Sequence, residues 1–117
     1  MPIFIGILIV VISAFGFSQT TRKIRGEILS EANTPVPGLA VIQLGTDNAV
    51  ATDLNGQFEI TVNEDKEIYI QLTGLDLEIY MKYKEGEDFK SVSLKDWKQI
   101  KKDNRRIENE WKSKNFE

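Results

Sequence analysis

The chain has 117 residues, 15 of them basic and 18 acidic, for a net charge of -3, and it contains neither cysteine nor histidine. That length holds one domain with a short extension, and the missing residue types exclude disulfides, thiolate chemistry, cysteine lipidation, and the commonest general base and metal ligand. The expectation is therefore a protein that is not an enzyme, needs no cofactor or metal, and has no overall charge suited to nucleic acid.

From Pro2 to Phe17 every residue is apolar or small, and the first charged side chain is Arg22. This reads as an export segment. Gly16 and Ser18 stand two apart, as signal peptidase requires, which places the cut after Ser18. No Lys or Arg precedes the run, so the alternative is a retained membrane anchor, although the run is shorter than the roughly 20 residues of a spanning helix. The predicted units are thus residues 1–18 as signal or anchor, 19–94 as a β-domain and 95–117 as a helical tail.

Within the β-domain, Lys23 to Leu29 alternates, with Ile24, Gly26 and Ile28 on one face and Arg25 and Glu27 on the other. Ser30 to Gly38 holds two prolines and forms a loop. Ala40, Ile42 and Leu44 form the expected inward face of a second strand, and Val50 to Thr52 a short third. Phe58, Ile60 and Val62 define a fourth strand; Ile68, Ile70 and Leu72 a fifth; Leu77, Ile79 and Met81 a sixth; Val92 and Leu94 a last. Short strands at roughly ten-residue spacing, separated by turn formers, predict an all-β fold, an antiparallel sandwich of about seven strands, transthyretin-like or Ig-like.

The tail changes period. Leu94, Trp97, Ile100, Ile107 and Trp111 recur at helical spacing, with Asn104 in the gap of the stripe and Ser93 or Asp96 available as a cap. This predicts an amphipathic helix of about four turns. It is also where the charge is uneven: residues 19–94 carry 7 basic and 13 acidic side chains, whereas residues 95–117 carry 8 and 5. The stripe packs on the sandwich, or else meets a protein or an anionic membrane; interspersed Asp103, Glu108 and Glu110 count against the membrane.

Arg25-Gly26-Glu27-Ile28, Pro35-Val36-Pro37-Gly38-Leu39-Ala40, Gly45-Thr46, Thr52-Asp53-Leu54-Asn55-Gly56-Gln57-Phe58 and Gly74 occur in an order that resembles the carboxypeptidase regulatory-like domain. That family is a transthyretin-like sandwich of secreted and envelope proteins in Bacteroidetes-type bacteria, found also ahead of TonB-dependent receptors. The resemblance spans about residues 22–83. It implies a freestanding module in the periplasm, at the outer-membrane surface or secreted. Leu39, where the family usually has alanine, and Leu75, where an aromatic is common, depart from the pattern.

Among candidate sites, Asp47, Asn48, Asp53 and Asn55 lack the spacing of a calcium loop, and Asp53, Asn55 and Gly56 read as a self-satisfied turn. Glu64 to Glu67 and Glu85 to Asp88 read as solvated turns. The residues singled out as an interaction surface are Trp97, Ile100, Ile107 and Trp111 on the tail, and Tyr69, Tyr80 and Tyr83 on an outward sheet face. The expected role is a structural or protein-interaction module with an envelope protein partner. The alternative is carbohydrate or peptide binding on the tyrosine face. Membrane contact is expected only through the N-terminal segment, if that segment is retained.

Overall fold

Alternation of apolar and polar residues builds a chain of short strands, because each polar face must reach water while each apolar face needs a partner. The computed structural model describes residues 21–63 and 66–116, so the expected export segment 1–18 and the acidic turn residues Glu64 and Asp65 lie outside the described residues. The strands are β1 (Arg22–Leu29), β2 (Ala40–Gln43), β3 (Ala49–Ala51), β4 (Gln57–Val62), β5 (Ile68–Gly74), β6 (Leu77–Tyr83) and β7 (Phe89–Ser93). A single 3-10 turn, Leu94–Asp96, leads into helix α1, Trp97–Asn115. The strands form two sheets, ordered β4-β1-β7 and β3-β2-β5-β6. Ile24, Ile28, Phe58, Ile60 and Val62 from the first sheet bury against Val41, Ile70, Leu72, Ile79 and Met81 from the second, forming one core. Each fully buried side chain of this kind contributes about 1.5–3 kcal/mol.

Two expectations are corrected. The sandwich is not wholly antiparallel, because β7 pairs with β1 in parallel, Arg25 opposite Phe89 and Ile28 opposite Val92. The chain leaves β6 through the Lys84–Glu87 turn, crosses to the other sheet, and reaches the free side of β1 running in the same direction. The second correction concerns β2. Its inward residues are Val41 and Gln43, with Leu39 fully buried just before the strand, while Ala40, Ile42 and Leu44 lie on the other side and are only half-buried. Register decides this: Val41 lies opposite Leu72 and Gln43 opposite Ile70, both inward residues of β5.

Thr52 fixes that register. Its buried hydroxyl donates to the Val36 carbonyl at 2.9 Å and accepts from the Leu39 amide at 2.9 Å, while its backbone bonds to Gly38 and Leu39. The loop after β1 is therefore pinned to the β3 end. The neighbouring turn holds itself together through Asp53, whose carboxylate accepts from the Asn55 and Gln57 amides at 2.9 Å each. Gly56 completes it at φ 70°, and a Cβ there would lie 2.6 Å from the Ile28 carbonyl oxygen and 2.9 Å from the Val36 nitrogen. Only glycine fits that approach.

The β5–β6 hairpin turns on Leu75 and Asp76, both at positive φ (53° and 62°), a geometry that Asn-Gly adopts far more cheaply. It lies at the same end as the Gly38 loop and the Asp53 turn, since Ala40 sits opposite both Ala51 and Thr73. At the other end the Arg22 guanidinium gathers the carbonyls of Lys66 (2.7 Å), Lys84 (2.5 Å) and Glu87 (2.6 Å).

Gly56→Ala is expected to lower stability by about 3 kcal/mol, through backbone strain plus steric overlap, against about 1 kcal/mol from backbone strain alone for Gly86→Ala. Gly86 has a similar φ of 87° with nothing within 4 Å of an added Cβ. Urea unfolding of both variants measures the difference; equal losses would show that the approach to Ile28 carries no weight.

Candidate interaction surface

Because β6 is the last strand of its sheet, its outer N–H and C=O groups need partners, and α1 supplies them. Asn104 accepts from the Tyr80 amide at 2.8 Å and donates to the Glu78 carbonyl at 2.8 Å, so one side-chain amide pairs with the edge as a neighbouring peptide would. Above and below it on the same stripe, Ile100 and Ile107 are buried against the sandwich. The helix thus lies lengthwise along β6. Ser93 caps the 3-10 turn by accepting from the Lys95 amide at 3.3 Å, whereas Asp96, at the start of α1, makes no capping bond. The helix runs 19 residues, longer than the four turns expected.

Beyond the apolar stripe, the docking is polar and made by carboxylates. Glu110 accepts from the Tyr69 hydroxyl at 2.8 Å and from the Lys82 ammonium. Glu67 accepts from Lys114 at 2.7 Å and from Tyr69 at 3.2 Å. Tyr80 donates to Glu78 at 2.8 Å and Glu108 at 3.1 Å. Lys82, foremost, and then Tyr69 hold the Glu110 carboxyl down at about 2, and the Lys114 bond likewise lowers Glu67. Burial, reinforced by the carboxylates, raises the hydroxyls of Tyr69 and Tyr80, while Glu110 raises Lys82. Each of these shifts moves a pKa further from neutral pH, the opposite of the direction that general acid–base work favours.

The residues singled out from sequence therefore separate. Tyr69 and Tyr80 do lie on the outer face, but under α1 and in contact with its carboxylates. Tyr83 is not on that face: it is fully buried, points into the core and donates to the Arg25 carbonyl at 2.6 Å, with burial pushing its hydroxyl up. Its parity with Ile79 and Met81 along β6 carried that signal. Trp97 is half-buried against the core, its ring 5.8 Å from the Lys101 ammonium. Trp111 is half-buried near Gly45 and stacks edge-on with Phe116 at 5.3 Å.

Two grooves flank the helix. One of about 350 Å³ lies under its C-terminal turn, where Trp111 and Tyr69 meet Gln43, Glu67, Lys114 and Asn115. The other, about 460 Å³, lies between β6, β7 and α1 and is lined by Lys84, Lys90, Arg106, Glu87 and Asp103 among others. The large apolar side chains left most exposed are elsewhere: Leu54 (86%) and Leu75 (71%) at the loop end, Phe116 at the helix terminus and Phe89 on β7. Among the described residues no group of His, Cys, Asp or Glu is arranged to hold a metal ion, and no helix is long and apolar enough to cross a membrane.

No family model matches the chain. It is 34% identical over 58 residues to a TonB-dependent receptor of Formosa agariphila, an alignment that takes in 48% of this chain and 6% of that receptor. The chain thus corresponds to a small fraction of the receptor's length.

Two outcomes are expected from this surface. Asn104→Leu, which leaves the Tyr80 amide and Glu78 carbonyl without their partner, lowers stability by about 1–3 kcal/mol by chemical denaturation. The Glu110 carboxyl has a folded-state pKa depressed from 4.5 to about 2, so its contribution is complete above pH 4.5 and drains away as pH falls toward 2. Glu110→Gln should therefore be less stable than the parent at neutral pH, by about 1 kcal/mol, with the gap closing through that acid window. Thermal unfolding across pH measures it, and a gap independent of pH would show that the charge is not what matters.

Proposed function

We propose that this protein is an exported, non-enzymatic β-sandwich module that serves as a protein-interaction domain in the bacterial cell envelope. The similarity to a stretch of a TonB-dependent receptor, together with the resemblance to the carboxypeptidase regulatory-like domain and the apolar segment from Pro2 to Phe17, supports the envelope placement. The observation that carries the interaction reading is the loop end. Leu54 and Leu75 stand on separate turns at one end of the sandwich, both largely exposed. Leu75 does so at a left-handed backbone position that costs about 1–2 kcal/mol, strain of the kind that persists at binding sites. Side chains on loops held by a rigid scaffold are well placed to meet a partner.

One observation favours a second reading, carbohydrate binding. The 350 Å³ groove combines an aromatic ring, Trp111, with the polar Gln43, Glu67 and Asn115, a lining suited to a sugar. It lies beside α1 and not on an open tyrosine face.

The test is site-specific photo-crosslinking from positions 54 and 75 in cells, with fractionation of the envelope. A discrete crosslinked envelope protein, lost in Leu54→Asp/Leu75→Asp while the variant keeps its melting temperature, is the expected result. A chain found in the cytosol, or crosslinking untouched by that variant, would overturn the reading; a glycan shifting the Trp111 resonances would support the second one.

A further inference from the structure

Helix α1 is not uniformly charged around its circumference. Two of its carboxylates are turned toward the fold, Glu108 reaching Tyr80 and Glu110 reaching Tyr69 and Lys82, while Asp103 is tied up within the helix by Gln99 at 3.1 Å and Arg106 at 3.4 Å. Their side chains are only 34%, 28% and 39% accessible. Four of its cations take the other side, whereas Arg106, Lys112 and Lys114 pair with carboxylates. Lys98, Lys101, Lys102 and Arg105 are exposed, follow one another at helical spacing, and make no salt bridge among the described residues. Asn109 and Lys112 continue the strip without adding a negative charge. The acidic residues that count against a membrane when the tail is read as a sequence are therefore each tied to a partner and stand off the strip formed by these four cations.

We propose that this outward face is a docking surface for an anionic phospholipid bilayer, held electrostatically by Lys98, Lys101, Lys102 and Arg105. Several features favour a bilayer over an acidic protein or a nucleic acid. The apolar stripe of α1 is spent on the sandwich, through Ile100 and Ile107, so the free face presents charge and no apolar side chain to insert among Lys98, Lys101, Lys102, Arg105 and Asn109. A row of cations along a helix laid lengthwise on the side of the domain matches a planar field of phosphates. The apolar run from Pro2 to Phe17 also brings this chain to a membrane, whether or not it stays there. This surface is distinct from the loop end bearing Leu54 and Leu75, so either assignment stands without the other.

The experiment is sedimentation of the full chain with vesicles of phosphatidylcholine alone and of phosphatidylcholine mixed with phosphatidylglycerol, at low and high salt. Partition through the apolar N-terminal run is indifferent to lipid charge, so the readout is the difference between the two vesicles. Binding should favour the anionic vesicles, weaken with salt, and drop about fivefold for each of the four cations changed to Gln. Removing Lys23, Lys66 and Lys84 instead should leave the difference in place, and Lys→Arg changes at 98, 101 and 102 should preserve it. Equal binding to both vesicles, an undiminished difference in the fourfold Gln variant with its melting curve unchanged, or tighter binding to an oligonucleotide or a polyglutamate peptide would overturn the assignment.

Discussion

A sheet edge is a row of donors and acceptors that water satisfies poorly once anything apolar is packed nearby, and a neighbouring chain satisfies only too well. In this protein the edge at β6 is met by one side chain, Asn104, whose amide presents a donor and an acceptor at the spacing of a peptide group. Much else follows from that bond pair. It sets how far along β6 the helix sits, which places Ile100 and Ile107 over apolar ground and brings Glu108 and Glu110 to the hydroxyls of Tyr80 and Tyr69. Glu110 finds its cation in Lys82 on the sheet and Glu108 in Lys112 one turn along the helix, while Lys98, Lys101, Lys102 and Arg105 are left for the solvent side.

Much of the architecture was legible in residue order. β4 and β5 read correctly because their two faces differ in polarity, so alternation has a single solution. The segment Leu39-Ala40-Val41-Ile42-Gln43-Leu44 does not: both parities are largely apolar, and the choice is made by Thr52 and by β5, neither of which is adjacent in sequence. The parallel pairing of β7 with β1 is likewise a property of where the chain crosses between sheets, which no local pattern encodes. Tyr83 is different: its alternation with Ile79 and Met81 marks the core side, against the outward face expected of it.

The surface was less legible than the fold. A polar residue in the middle of an apolar stripe, as Asn104 is, signals a backbone partner but not which one. The tyrosines were visible as a group, yet whether they faced a ligand or their own chain depended on the docking of α1. What the sequence presents as a mixture of charges in the tail becomes, on the folded domain, a basic outward strip and flanks where both signs are paired.

The parallel β1–β7 pair also bears on how the molecule is assembled in time. β1 occupies the centre of its sheet, but one of its two neighbours comes from the far end of the sandwich, directly before the helix. That sheet cannot be completed while the chain is still emerging, and pairings so distant in sequence carry a loop-closure cost that slows folding. The fold therefore closes only when its last strand arrives, since the central strand of this sheet waits for it.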